Sequence, residues 1–578
     1  MNRENLEKLI DMAAGRLPAD LLISNCQLAD VFNQTLLDGP LALGYGRIVG
    51  WGPDYQGRET LDAGGGIVLP GLIDGHVHIE SSALAPARFA GLVLPFGTTT
   101  VIADPHETAN VLGLEGIRYL LEAAQRLPLN IQLMLPSCVP ATPEEQVGAV
   151  LTAEDLETLI GQKGILGLGE VMDFPGVINH TNLVIKKILM ARKHHLLIDG
   201  HSPGLTGPEL TAYAAAGIHT DHECSTAAEM LERLHLGQYV LMRHCSSSDD
   251  LSRLLASLTP ANARRCVLCT DDREAADIMA NGHINMLLRQ CVAGGLPPLL
   301  AVTLATLNAA ECFGLKDKGA IAPGWDADLV IVSDLKDFQV RRVLAKGREV
   351  ARDGRMMVDL EDYTADSVLN TVHLPPLTAA SFVLPLAGPA IRVIEILPNN
   401  LLTRATVREV RRNDQGEFDP RLNPGLNLLA VIERHRASGQ MALGVLAGFG
   451  LKNGALAVSV AHDSHNLVVA GDSAEDMLLA TREVGRLGGG YALVTGGRVA
   501  ASLALPVAGL MSDRPAREVA DGLAKLMAAA HRDLGLPETL HPLMNLIFLT
   551  LPVIPELRLT SRGLFDVTTF QPVDIGLN

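Results

Sequence analysis

Between residues 67 and 271, short apolar runs of strand length alternate with helix-forming segments. Strands that are apolar on both faces need cover on both sides, and helices between them supply it. The runs are Leu72–His78, Thr98–Asp104, Ile131–Pro136, Ile165–Glu170, Leu196–His201, Ile218–His222, Tyr239–His244 and Cys266–Asp271. The helical segments include Gly116–Arg126, Ala153–Ile160, Leu183–His194, Glu209–Ala216, Ala227–Leu234 and Asp250–Leu258. Eight buried strands alternating with helices over ~250 residues predict an α/β chain built on a (β/α)8 barrel. An open doubly wound sheet would want a Gly-rich phosphate loop after its first strand. Gly64-Gly65-Gly66 comes before that strand instead.

A barrel places its chemistry at the C-terminal ends of its strands, and here those ends carry ligand-type side chains. The first run, Pro70-Gly-Leu-Ile-Asp-Gly-His76-Val-His78-Ile-Glu80, sets two histidines two residues apart, on one face of a strand. Strand 4 ends in Glu170, strand 5 in His201, strand 6 in His222 and strand 8 in Asp271. Taken singly, Glu170 has a helix cap as its lesser reading, and His201 or His222 a satisfied core histidine. Together they exceed the roughly four to six ligands of one divalent ion. A carboxylate can bridge two ions, so two metals about 3.5–4 Å apart are expected. Carboxylate-rich ligation favours Mn(2+) or Fe(2+), with Zn(2+) also accepted by such a set.

Composition narrows the function classes. The 578 residues are 48% hydrophobic and 19% charged, which describes a globular chain of two to four domains. A net charge of −18 argues against a nucleic-acid surface. There is no run of 18 apolar residues, and residues 1–20 read as a charged amphipathic helix without a signal-peptide core. No membrane partner and a cytoplasmic location are therefore expected. The eight cysteines suit a reducing compartment. Cys266 and Cys269 form a CxxC without a second pair at zinc-site spacing, and read as buried strand residues. A homo-oligomer, dimer or higher, is expected, although no motif fixes its interface.

The flanks organise the rest. Residues 1–66 carry a helix and short alternating strands, and 321–365 supply strands such as Ala327-Asp-Leu-Val-Ile-Val that complete the same small β-sandwich around the 67–320 barrel. Residues 366–400 are proline-rich and read as a linker. From 401 to 578 a C-terminal α/β domain is expected, with strands near Ala442–Val445 and Ala455–Val460 and a helix near Ser473–Glu483. Its Gly488-Gly-Gly-Tyr and Thr495-Gly-Gly-Arg read as hairpin turns, since no lysine follows at phosphate-loop spacing. His462 and His465 read either as ordinary structural histidines or as residues that close over the pocket or bind a further ion.

The chain resembles the amidohydrolase superfamily, and within it the adenine deaminases. The similarity rests on His78-Ile-Glu-Ser-Ser, Gly97-Thr-Thr-Thr-Val, Asp104-Pro-His-Glu, Gly169-Glu170-Val-Met, Asp199-Gly-His-Ser-Pro-Gly-Leu, Asp221-His222-Glu223, Thr270-Asp-Asp-Arg273, Ala322-Pro-Gly-Trp-Asp-Ala-Asp and Ala461-His-Asp-Ser-His-Asn466. Strand 4 offers a glutamate where several relatives in the superfamily use a carboxylated lysine, a feature that adenine deaminases share. The resemblance implies hydrolytic deamination of adenine to hypoxanthine and ammonia, in purine salvage, by a metal-bound hydroxide attacking the amino-bearing carbon. It implies His76, His78, Glu170, His201, His222 and Asp271 as metal ligands, with Asp271 also the base and proton shuttle. Glu170, as the bridge, and Asp272 join Asp271 as catalytic candidates. Asp272, which faces away from Asp271 if the strand stays regular, is expected to hold Arg273 or a ring N–H. Glu80 and His106 are further candidates for contact with the purine, and His106 with Glu107 could instead support a ligand histidine.

Overall fold

The computed structural model describes every residue except 143, 144, 399 and 578. Eight strands occupy the expected windows: β1 Leu72–Val77, β2 Thr98–Ala103, β3 Asn130–Leu135, β4 Ile165–Val171, β5 Leu197–Gly200, β6 Thr220–Asp221, β7 Tyr239–Arg243 and β8 Cys266–Cys269. β1 to β5 form one parallel ladder in chain order and β6 to β8 another. Two seams close the ring. Val77 bridges Asp271 in parallel, and the His219 amide donates to the Ile198 carbonyl at 2.9 Å. Ile73, Ile102, Met134, Leu241, Val267 and Cys269 pack together between the strands, which makes the barrel a filled core and not a pore. Cys266 and Cys269 are buried strand residues with free thiols.

The chain on either side of the barrel builds one nine-stranded sheet. Strands at 19–30, 35–38, 41–44, 47–51 and 57–70 precede the barrel, and strands at 329–332, 340–345, 348–352 and 355–356 follow it. The joint is Gly57–Pro70 against Leu329–Val332, antiparallel, with Leu69 opposite Val330. The same strand runs on into β1, so the sheet anchors the strand that carries His76 and His78. The N-terminal helix is shorter than its 1–20 window. It spans Arg3–Ala13, capped by the Asn2 side chain on the Asn5 amide at 2.9 Å, and lays Leu9 and Met12 on Ala42 and Val49.

The C-terminal domain is an eight-stranded, mostly antiparallel sheet from residue 390 to 504. Its first strand, Ala390–Ile396, lies inside the 366–400 stretch expected as a linker. Alternation along the strands separates two faces. Val393, Ala430, Val445 and Val469 meet the helix Ala474–Leu487 through Met477, Ala480 and Val484. Ile394, Val431, Leu446 and Val468 turn toward the helix Ala516–Leu534 and the barrel's own core. The Thr495-Gly-Gly-Arg498 turn is a hairpin, as read from the sequence, with Gly496 and Gly497 both at positive φ. Gly488-Gly-Gly490 is not: Gly488, at φ 73°, ends the 474–487 helix in the left-handed region and the chain passes directly into the next strand. Helix C-caps and hairpin turns ask for the same residue, so the sequence does not separate them.

Candidate active site

β1 delivers both histidines with their protons already placed. His76 Nδ1 lies 3.1 Å from Asp199 Oδ2, and His78 Nδ1 lies 3.1 Å from the Asp104 carbonyl. Both partners are acceptors, so each ring donates from Nδ1, and in the neutral form that a metal ligand takes its lone pair is on Nε2. The two Nε2 atoms face one another at 3.2 Å. Glu170 Oε1 sits between them, 2.7 Å from His76 Nε2 and 3.0 Å from His78 Nε2, and has no hydrogen-bond partner. Asp271 Oδ1 adds a further acceptor 3.2 Å from His78 Nε2.

The other strand ends converge on the same point. His222 Nε2 is 3.5 Å from Glu170 Oε1, while His201 Nδ1 is 3.5 Å from the other oxygen, Oε2. All six ligand-type residues expected from the sequence therefore gather around Glu170. Asp199 and Asp104 are locked in turn, Asp199 by the Thr220 hydroxyl and Asp104 by the Glu170 amide at 2.9 Å. With neutral rings the lone pairs of these ligand atoms converge, which is unfavourable unless a cation fills the gap. His76, His222, Glu170 and Asp271 offer ligand atoms within 4.8 Å of one another, and His78 and His106 do so with the same Glu170. Buried Glu170 Oε1, His201 Nδ1 and His222 Nδ1 have no hydrogen-bond partner. The residues fit divalent ions, and the two oxygens of Glu170 face different histidines.

Arg243, at the end of β7, brings a cation to the cluster. Its guanidinium meets Asp271 Oδ2 at 2.7 Å, Asp250 at 2.9 Å and both oxygens of Glu223. Burial works to raise the Asp271 carboxyl, but Arg243 together with His78 and His222 outweighs it and holds Asp271 well below the usual carboxylate range. The cluster opens into a cavity of about 890 Å³, of the size that takes small-molecule ligands. Its far wall comes from the C-terminal domain: Phe548, Leu551, Ile554, Phe570 and His462.

Comparison with known proteins places this arrangement. The amidohydrolase family matches residues 67–350, and the adenine deaminase C-terminal domain matches residues 400–571. An adenine deaminase from Nitratidesulfovibrio vulgaris is 55% identical over all of this chain and all of its own length. The chain belongs to the adenine deaminase family of amidohydrolases. Adenine deaminase 2 from Desulfotalea psychrophila is 44% identical, again over the whole of both chains. Among solved structures, an adenosine deaminase from Xanthomonas campestris aligns with TM-score 0.44 and 16% identity, over 60% of this chain and 95% of that one.

Within that family frame, the purine-contact candidates separate. Asp272 does not face away from Asp271: both place a carboxylate oxygen within 4.8 Å of His78 Nε2 and of each other. The strand ends at Cys269 and Asp271 takes φ 55°, so strict alternation stops before the pair. Asp272 accepts from the Ser81 hydroxyl and lines the cavity, whereas Arg273 pairs with Asp277 at 3.1 Å. Glu80 is buried beside a smaller recess, its Oε1 taken by the Thr108 amide and hydroxyl, and burial pushes its carboxyl up. His106 starts a helix, with its ring 4.7 Å from that of His78. Sequence reasoning passed over Glu223, Arg243 and Asp199 as site residues. Glu223 and Asp199 sit inside two of the motifs quoted above, and Arg243 is a charged residue at a barrel-strand end, so the signal was present for each.

Proposed function

We propose that this chain hydrolyses adenine to hypoxanthine and ammonia at the mouth of its barrel, where Glu170, His76, His78, His201, His222 and Asp271 would hold divalent metal ions. Such ions, when bound, supply Lewis acidity and lower the pKa of water near them. Asp271 takes the proton of the attacking water. It passes that proton to the ring nitrogen next to the amino-bearing carbon, then carries the remaining proton of the added hydroxyl to the amino group, which leaves as ammonia while the carbonyl of hypoxanthine forms. The Arg243 contact keeps Asp271 ionised and aimed, ready to accept. Asp199 and the Asp104 carbonyl fix the histidine tautomers that leave Nε2 free.

The free base, not its nucleoside, is the substrate we favour. Asp272 stands at the cavity wall with one oxygen engaged by Ser81. Its other oxygen is suited to the ring N–H that adenine has and adenosine lacks. A ribose there would leave that oxygen of the half-buried carboxylate without a donor, a difference that sites of this kind turn into roughly 10⁴-fold discrimination. The absence of any disulfide among the eight cysteines suits a cytoplasmic setting.

The observation that carries the reading is the convergence of proton-free ligand atoms on Glu170 beside a carboxylate held ionised, in a chain of this family. Ammonia release from a panel of purine and pyrimidine bases and adenosine tests it. Adenine should dominate; equal kcat/KM for adenine and adenosine, or turnover of another heterocycle alone, would overturn it.

A further inference from the structure

His462 and His465 are brought to the barrel mouth by the C-terminal domain and take no part in the chemistry above. With Glu107 they look by proximity like a metal triad, since their ligand atoms lie within 4.8 Å of one another. Proton positions argue otherwise. The Ala461 amide points at His465 Nδ1 at 3.1 Å, and an amide N–H only donates, so the His465 proton sits on Nε2. That Nε2 is the atom against Glu107 Oε2; it donates to the carboxylate and has no lone pair left for an ion. Burial pulls His465 down to about 4, which keeps the ring neutral in this tautomer.

The second oxygen of Glu107 then settles His462. Oε1 lies 2.5 Å from His462 Nδ1, and a carboxylate only accepts, so His462 donates there from Nδ1. Its Nε2 has no hydrogen-bond partner among the described residues. The ring stacks on Phe548, with centroids 4.6 Å apart, and its carbonyl accepts from the Thr550 hydroxyl at 3.0 Å. Thus held, His462 lines the same cavity as His78, Glu170, Asp271 and Asp272. Burial disfavours a charged ring, but Glu107, and behind it Asp272 and Asp463, outweigh burial and push His462 up to about 9.

We propose that His462 contacts the substrate, donating from Nε2 to an unprotonated ring nitrogen of the bound base, while Glu107 and His465 are positioning residues that fix the rotation and proton placement of its imidazole. This deepens the deamination reading and takes the identity of the base from it. It also gives the C-terminal domain a share in the active site: the barrel supplies metal ligands and base, and the added domain supplies a donor to the purine.

The test uses the full-length, metal-loaded enzyme and two analogues, 3-deazaadenine and 7-deazaadenine, each lacking one acceptor nitrogen. His462→Phe keeps the stack and removes the donor; His462→Gln retains a donor. His462→Phe should lose about 10- to 100-fold in kcat/KM for adenine with bound metal unchanged, and His462→Gln should recover part of it. The inhibition constant of one deaza analogue should change less than threefold on His462→Phe, because its partner atom is already missing, while the other rises as adenine's loss predicts. Glu107→Gln should raise KM more than it lowers kcat, a split that a purely structural role would not produce. A His462→Phe enzyme within threefold of wild type on adenine, or equal losses on both analogues, overturns the contact. A wild type inactive on adenine removes the deamination reading instead, and the dissociation constants of the two analogues for wild type and His462→Phe, measured by calorimetry, then decide the contact.

Discussion

At the scale of single residues, the site depends on which atoms carry protons. Glu170 presents a lone pair to His76 and His78 at 2.7 and 3.0 Å, and its other oxygen to His201. Glu170→Gln replaces that carboxylate by a far poorer ligand, so metal and activity should disappear together; full metal content by elemental analysis with a near-normal rate would contradict bridging. Asp271→Asn should behave differently. It keeps an oxygen for the ion but loses the base, so turnover should fall by about 10²–10⁴ while at least one ion stays bound. The ligand set was legible because strand ends in a barrel are places where isolated His, Asp and Glu have few other reasons to be. The tautomers were not, since Asp199 and Asp104 act on His76 and His78 through space from other elements. Asp272 was misdirected for a local reason: the positive φ of Asp271 reverses a side chain that alternation alone would have turned away.

At the scale of elements, β4 is held against its neighbour with no spare room. A Cβ on Gly169 would fall in hard contact with the Asp104 carboxylate, the group that accepts the Glu170 amide at 2.9 Å and the His106 amide at 3.1 Å. Gly169→Ala should therefore cost about 1–3 kcal/mol and displace Glu170 as well. A lower Tm together with weaker metal retention is expected; a lower Tm with unchanged metal affinity would show that β4 adjusts without moving the ligand. In the C-terminal domain, His435 follows the strand Leu426–Ile432 and donates from Nε2 to the Ser464 carbonyl at 2.8 Å, while its buried Nδ1 has no partner. Burial, reinforced by Arg434, pushes it down to about 3. The folded value lies below the unfolded one of ~6.5, so the unfolded chain takes the proton first as pH falls. Stability is lost from about pH 6.5 toward pH 3, by about 2 kcal/mol at pH 5 if the ring stays neutral. His435→Gln removes that loss, so the Tm gap between wild type and variant should shrink from pH 7.5 to pH 5. A gap independent of pH would contradict the account. Elements with a single period, such as β1 to β8, were readable from sequence. The 366–400 stretch was not, because proline content marks a chain that leaves the barrel but does not say where the next strand begins.

At the scale of the whole molecule, the barrel and the C-terminal domain meet at one cavity. The nine-stranded sheet anchors the strand that becomes β1, the barrel gathers six ligand-type side chains, and the C-terminal domain closes the far wall with Phe548, Leu551 and His462. No helix among the described residues is long and apolar enough to cross a membrane. The barrel and its flanking sheet could be read from periodicity and spacing, whereas the role of the C-terminal domain could not, because its contacts with the barrel join residues some 355 positions apart, as in His462 and Glu107. The central claim is that adenine is deaminated at a site that needs two ions. It is tested most directly by stripping the enzyme of metal, returning Mn(2+) in measured steps, and following hypoxanthine formation from adenine. Activity should rise to a plateau at two ions per chain; a plateau at one ion, or no hypoxanthine at any loading, would contradict it.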